Sequence, residues 1–139
     1  MEITRAYVKS ILPHRDPEGH KGTFGKVYCL CGAVGYTGAP VLAASAAVRS
    51  GSGLVFLGVP KDIWPIVAVK CDSAMPSPLP SQQGKLALAA EDAVRAQIDG
   101  CDAVLIGCGM GRSEESDALT RRLIDMDKPL VLDADGINA

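Results

Sequence analysis

At 139 residues and 47% hydrophobic composition, the chain is long enough for one domain with a sizeable core. Aromatic residues make up only 4%, so that core must be aliphatic and alanine-rich, which suits helices packed closely on a parallel sheet. A net charge of -2 offers no electrostatic footprint for nucleic acid or an anionic membrane surface. No apolar run is long enough for a membrane span or a signal segment, so a cytoplasmic protein is expected. Cys29, Cys31, Cys71, Cys101 and Cys108 form no CxxC pair, and His14 and His20 precede all of them. Reduced thiols are therefore expected, and no metal site.

In chain order, residues 4–12 read as a short amphipathic helix capped by Thr4, with Ala6, Val8, Ile11 and Leu12 as its apolar positions and Pro13 as its stop. A polar, turn-rich stretch over 14–25 follows. Residues 26–31 are nearly continuous in apolar side chains, the pattern of a strand covered on both faces. Gly32, Gly35 and Gly38 make a glycine-rich turn. Pro40 predicts the first position of the next helix, with Ala39 as its flank. That helix is apolar nearly all round, which predicts burial, and Gly51 ends it. Residues 54–59 read as a second strand. The stretch 60–70 is mixed, and 73–81, with Pro76, Pro78 and Pro80, reads as an irregular loop. A helix is predicted over 85–98, with Leu86, Ala90, Ala93, Val94 and Ile98 on one stripe. A strand over 103–106 runs into Gly107, Gly109 and Gly111. Ser113 caps a further helix whose acidic start and basic end complement its dipole, with Leu119, Leu123 and Met126 inward. Pro129 opens a last strand over 130–132.

Two strand–turn–helix–strand units thus carry their glycines at the carboxyl ends of strands, where ligands settle in open parallel sheets. Glycines at 107, 109 and 111 let backbone N–H groups approach an anion. Their spacing is G-x-G-x-G, not the dinucleotide fingerprint G-x-G-x-x-G, although Asp133 falls about where that fold places its ribose-binding acid. Gly38 and Ala39 carry nothing larger than a methyl group, so a flat group can lie against the backbone there. Asp133 reads as a ligand-orienting acid and Asp135 as a turn cap. Lys21 can neutralise a phosphate. Neither a P-loop nor a nucleophile elbow is present.

The run His20-Lys21-Gly22-Thr23-Phe24-Gly25-Lys26-Val27, residues 32–39, Arg49-Ser50-Gly51-Ser52-Gly53-Leu54-Val55, residues 107–112 and Leu132-Asp133-Ala134-Asp135-Gly136-Ile137-Asn138 occur in order. Together they resemble the ADP/ATP-dependent NAD(P)H-hydrate dehydratases of the ribokinase-like superfamily. The resemblance implies an α/β fold, a parallel sheet with helices on both faces, of which residues 1–139 are a single incomplete, C-terminally truncated ribokinase-like domain. It implies a lyase reaction in metabolite repair, in which NAD(P)HX loses water to give NAD(P)H, driven by ADP or ATP with Mg2+. Ala39, Gly109 and Gly111 fall where such enzymes hold the hydrated dinucleotide, with Gly38 and Asp133 beside them. Lys21 and Asn138 are the candidate nucleotide contacts. Cys31, Cys108 and Tyr36 stand where the family usually shows glycine, proline and methionine. The family's G-[ST]-G-D motif, with its catalytic aspartate, does not occur in these residues, so that acid is expected beyond the chain end and the chain alone is expected to be inactive. An unpaired last strand predicts self-association, as a homo-oligomer or otherwise, or partial disorder at the C-terminus. Two other readings stay open: a fragment of a ribokinase-like small-molecule kinase, and a non-catalytic dinucleotide-binding or oligomerising module.

Overall fold

A computed structural model describes residues 2–139. The elements are, in order, α1 (Arg5–Ile11), β1 (Lys26–Leu30), α2 (Gly38–Arg49), β2 (Leu54–Pro60), α3 (Trp64–Lys70), β3 (Met75–Leu79), β4 (Ser81–Gln82), β5 (Lys85–Leu86), α4 (Glu91–Asp99), β6 (Ala103–Ile106), α5 (Glu114–Leu123), β7 (Leu130–Leu132) and α6 (Asp135–Asn138). Five strands form one sheet in the order β3-β2-β1-β6-β7, every neighbouring pair parallel. β4 and β5 form a separate antiparallel hairpin.

β1 is central because its side chains suit burial on both faces. Tyr28 and Leu30 join Val94 and Ile98 of α4 and Leu119 and Leu123 of α5. Cys29 and Cys31 point the other way, into a cluster with Ala44 of α2 and Val67 of α3. Each fully buried aliphatic side chain of these layers stabilises the fold by about 1.5–3 kcal/mol relative to exposure. Helices therefore cover both faces, as the apolar run over 26–31 predicts. Caps are local and legible. Thr4 Oγ1 accepts from the Tyr7 N–H at 3.1 Å, and Ser113 Oγ from the Ser116 N–H at 3.1 Å.

Several expectations need correction. α2 begins at Gly38, not Pro40, so Ala39 lies inside its first turn. The helix buries only Pro40 and Ala44, and Leu42 is 73% exposed, because the sheet covers just one face of it. Residues 75–79 are an edge strand, not a loop: β3 pairs in parallel with β2, from Phe56↔Met75 to Pro60↔Leu79. Prolines are tolerated at a sheet edge, where an N–H facing outward has no partner to lose. The predicted helix over 85–98 starts only at Glu91; before it come β5 and a short 3-10 turn over Leu88–Ala90. Gln83 (φ 50) and Gly84 (φ 75) make a tight hairpin turn that takes Lys85 and Leu86 into β5. Of the predicted stripe, Leu86, Ala90, Val94 and Ile98 are buried and Ala93 is exposed. α1 buries none of its residues.

Candidate functional site

The sheet order has a switch point between β1 and β6. The chain leaves β1 toward α2 on one face of the sheet and leaves β6 toward α5 on the other, which opens a crevice between the two turns at the strands' carboxyl ends. Both glycine-rich turns meet there. The Gly32 N–H donates to the Cys108 carbonyl at 3.0 Å. A Cβ added at Gly109 would lie 2.7 Å from Ala39 Cβ and 3.1 Å from Tyr36 Cβ. Gly109 has φ +62, so both its backbone conformation and this close approach call for glycine.

The crevice walls are unequal. On the α2 side, Thr37 makes no side-chain cap bond and a Cβ at Gly38 would meet nothing within 4 Å, so the first amides of this 12-residue helix stand open. Such a helix start carries partial positive charge and unsatisfied N–H donors. The second turn, by contrast, is already engaged. The Gly111 N–H donates to Asp135 Oδ2 at 2.8 Å, and Gly107 packs so closely on the Asp133 carbonyl that a Cβ would lie 1.9 Å from it. Asp135 therefore acts as a brace between α6 and the turn. Asp133 is exposed, and its Oδ2 accepts from Cys108 Sγ at 3.3 Å. Between the two aspartates, Ala134 has φ 44, a conformation an alanine adopts only when its surroundings hold it.

Electrostatics at the floor of the crevice are set by two thiols. The Cys31 thiol donates to the Cys108 sulfur, and this bond holds Cys108 below its ordinary value, against partial burial and the Asp133 carboxylate, which push it up. The same bond, followed by burial, raises Cys31. Cys29, one residue from Leu30 and also inward, is pushed up to about 12 chiefly by burial.

Ala39, Gly38, Gly109, Gly111 and Asp133 thus lie around one crevice. Lys21 and Asn138 do not share a place. Lys21 precedes β1, and its carbonyl packs on Gly53 just before β2, at the amino ends of the strands. Asn138 follows β7 at the carboxyl ends, its Nδ2 donating to the Ala134 carbonyl at 3.0 Å. A strand of this length separates them by roughly 16 Å. Among the described residues, no group of three or more His, Cys, Asp or Glu can hold a metal ion, and no helix is long and apolar enough to cross a membrane. Lys85 was missed from the sequence: it packs beside Gly111 and its Nζ donates to the Arg112 carbonyl at 2.8 Å. Gly84, with φ 75, closes the β4–β5 hairpin that carries Lys85 to the site side, and it is the one local turn residue in the sequence there. Hollows of about 240 Å3 beside Arg49 and Lys70 and about 270 Å3 beside Arg15 and Phe24 lie away from both turns.

The fold and these motifs have counterparts among known proteins. A ribokinase-like superfamily protein of Enterococcus faecalis superposes with a TM-score of 0.79 at 20% identity, over 98% of this chain and 46% of that one, which speaks to the fold alone. The ADP/ATP-dependent NAD(P)H-hydrate dehydratase of Bacillus subtilis, co-crystallized with ATP/Mg2+, superposes with a TM-score of 0.76 at 30% identity, over 96% of this chain and 45% of that one. The bifunctional NAD(P)H-hydrate repair enzyme Nnr of Salinibacter ruber is 41% identical over 141 residues, spanning 99% of this chain. This chain corresponds to only 26% of that enzyme's length, and to under half of either solved protein. The sequence family described as NAD(P)H-hydrate dehydratase matches residues 27–139, from β1 through both turns and the Asp133–Asp135 corner. The fold is ribokinase-like, and the chain belongs to the NAD(P)H-hydrate dehydratase family.

Proposed function

We propose that this chain supplies the wall that binds the hydrated dinucleotide in an NAD(P)H-hydrate dehydratase, the whole protein converting NAD(P)HX to NAD(P)H in the cytoplasm with ADP or ATP and Mg2+. Residues 1–139 are then part of one ribokinase-like domain. The observation that carries this reading is the meeting of the two glycine-rich turns at the β1/β6 switch point, within the residues matched to the family. The open amides at the start of α2 suit the diphosphate of a dinucleotide. Gly38 and Ala39 leave room for a flat ring, and the exposed Asp133 carboxylate can accept from a ligand hydroxyl. Gly111, braced by Asp135, holds the opposite wall at fixed width.

No G-[ST]-G-D motif occurs in these residues, so no chemical step is assigned to them, and Lys21 and Asn138, at opposite ends of the strands, stay candidate nucleotide contacts. The chain is expected to bind hydrated NADH without dehydrating it. Calorimetric titration with hydrated NADH tests the first half: no heat of binding under conditions where the chain is folded would refute the reading. Incubation with hydrated NADH, Mg2+ and ADP or ATP tests the second, and recovery of the reduced-nicotinamide absorbance would overturn the assignment of catalysis to other residues.

A further inference from the structure

Cys31 and Cys108 are brought together by the backbone and not by chance approach of flexible side chains. β1 and β6 pair in parallel up to Leu30↔Ile106, which places Cys31 beside the first residue of the second turn. One residue on, the Gly32 N–H to Cys108 carbonyl bond at 3.0 Å ties the two segments again. Both sulfurs belong to the same layer, Cys108 packing on the cluster that contains Cys31. Cys31 and Cys108 are offset by one residue across strands about 4.8 Å apart, and with a rise of about 3.3 Å per residue the diagonal is about 6 Å, inside the Cα separation of about 4.4–6.8 Å that a disulfide needs. Cys108 is half-buried beside the exposed Asp133, whereas Cys31 is 0% exposed. An oxidant therefore reaches Cys108 first, and Cys31 can attack only from within.

We propose that Cys31 and Cys108 form a reversible disulfide that locks the second glycine-rich turn onto the end of β1 and makes the crevice sensitive to peroxide. The Cys108 thiolate attacks one oxygen of hydrogen peroxide, the O–O bond breaks, and the departing hydroxide leaves as water with the thiol proton. The resulting sulfenic acid is then attacked by the Cys31 sulfur. The S–S bond forms, the S–O bond breaks, and the oxygen leaves as water with the Cys31 proton. Two thiols and one peroxide give one disulfide and two waters. A dithiol reductant reverses the step by exchange. Closing the bond takes Cys108 out of its 3.3 Å contact with Asp133, so the carboxylate at the crevice loses its nearest donor on oxidation. A transient, reversible bridge of this kind is compatible with a reducing compartment.

The test reads thiols and not turnover, so it stands or falls apart from the proposed activity. The native chain is treated with hydrogen peroxide, denatured with an alkylating agent, digested, and sequenced by tandem mass spectrometry. The expected product joins Cys31 to Cys108, lighter than the sum of its peptides by two hydrogens, and disappears with dithiothreitol. Digestion before Asp102 separates Cys101 from Cys108, and fragmentation distinguishes Cys31 from Cys29. The Cys29→Ser and Cys71→Ser variants are expected to retain the cross-link. In Cys31→Ser, Cys108 is expected to stop at a sulfenic acid captured by a dimedone-type probe. Should that variant fail to fold, the map of the unaltered chain decides alone. A bridge from Cys108 to Cys29 or Cys101, a Cys108 sulfinate with Cys31 still alkylated, or all five thiols unchanged would each overturn the proposal.

Discussion

Replacing Gly109 by alanine puts a methyl group where the two turns touch. Two separate costs follow. The residue has φ +62, and an L side chain in the left-handed region costs about 1–2 kcal/mol. The new Cβ would also stand 2.7 Å from Ala39 Cβ and 3.1 Å from Tyr36 Cβ. Both neighbours are β-carbons fixed to the backbone, so no rotamer change relieves the contact and the turns themselves must part. Overpacking of that kind costs about 1–3 kcal/mol. Gly35 provides the control: its φ is +89, but a Cβ there would meet nothing within 4 Å. Gly35→Ala should lose only the conformational part, about 1–2 kcal/mol, and Gly109→Ala about 2–5 kcal/mol in all. Urea unfolding followed by circular dichroism measures both, provided the m-values stay equal. If the two variants lose the same stability within about 0.5 kcal/mol, well below the overpacking cost, the close approach of the turns is wrong.

Arg112 holds Asp117 through two bonds, Nε to Oδ1 at 2.8 Å and Nη2 to Oδ2 at 2.7 Å, and this keeps the Asp117 carboxyl below its ordinary 3.8. Its folded value is depressed, so its contribution is present above 3.8 and fades as pH falls through the folded value. Asp117→Asn should therefore lower the melting temperature at neutral pH, by the equivalent of about 1 kcal/mol or less for a partly exposed pair. The gap to the unaltered chain should close in strong acid, and a gap independent of pH would count against it. At the crevice, Asp133→Asn should weaken hydrated-NADH binding roughly 10-fold or more, as loss of a charge-assisted hydrogen bond does; equal affinities in calorimetry would remove Asp133 from the site. Val131 is 60% exposed on β7, whose outer side has no neighbouring strand among the described residues. Val131→Lys should shift the chain toward monomer in light scattering if self-association uses that strand, and an unchanged mass would locate association elsewhere.

The strands of the sheet's interior were legible because burial on both faces writes a continuous apolar run, as in β1. β3 was hidden because Pro76 and Pro78 read as breakers, and only the position of the strand at an edge makes them harmless. The start of α4 was misplaced because Leu86 and Ala90 sit four residues apart on the buried side, a helical spacing produced here by a strand followed by a 3-10 turn. The gathering of Gly38, Ala39, Gly109 and Asp133 followed from chain order, since parallel strands put their succeeding turns at one end. By the same logic Lys21, which comes before a strand, and Asn138, which comes after one, belong to opposite ends. The contacts of Cys108 with Asp133 and Cys31 were beyond sequence reasoning, because they depend on the path of a turn held by Gly107 at φ 124.

The prolines of β3 have a consequence for assembly. Alternate residues of an outer strand direct their amides away from the sheet, proline has none to offer, and the Pro76 carbonyl already accepts from the Trp64 indole at 3.0 Å. That flank is closed to hydrogen-bonded growth. A further strand therefore cannot dock along β3, and any hydrogen-bonded growth of the sheet must come at another edge.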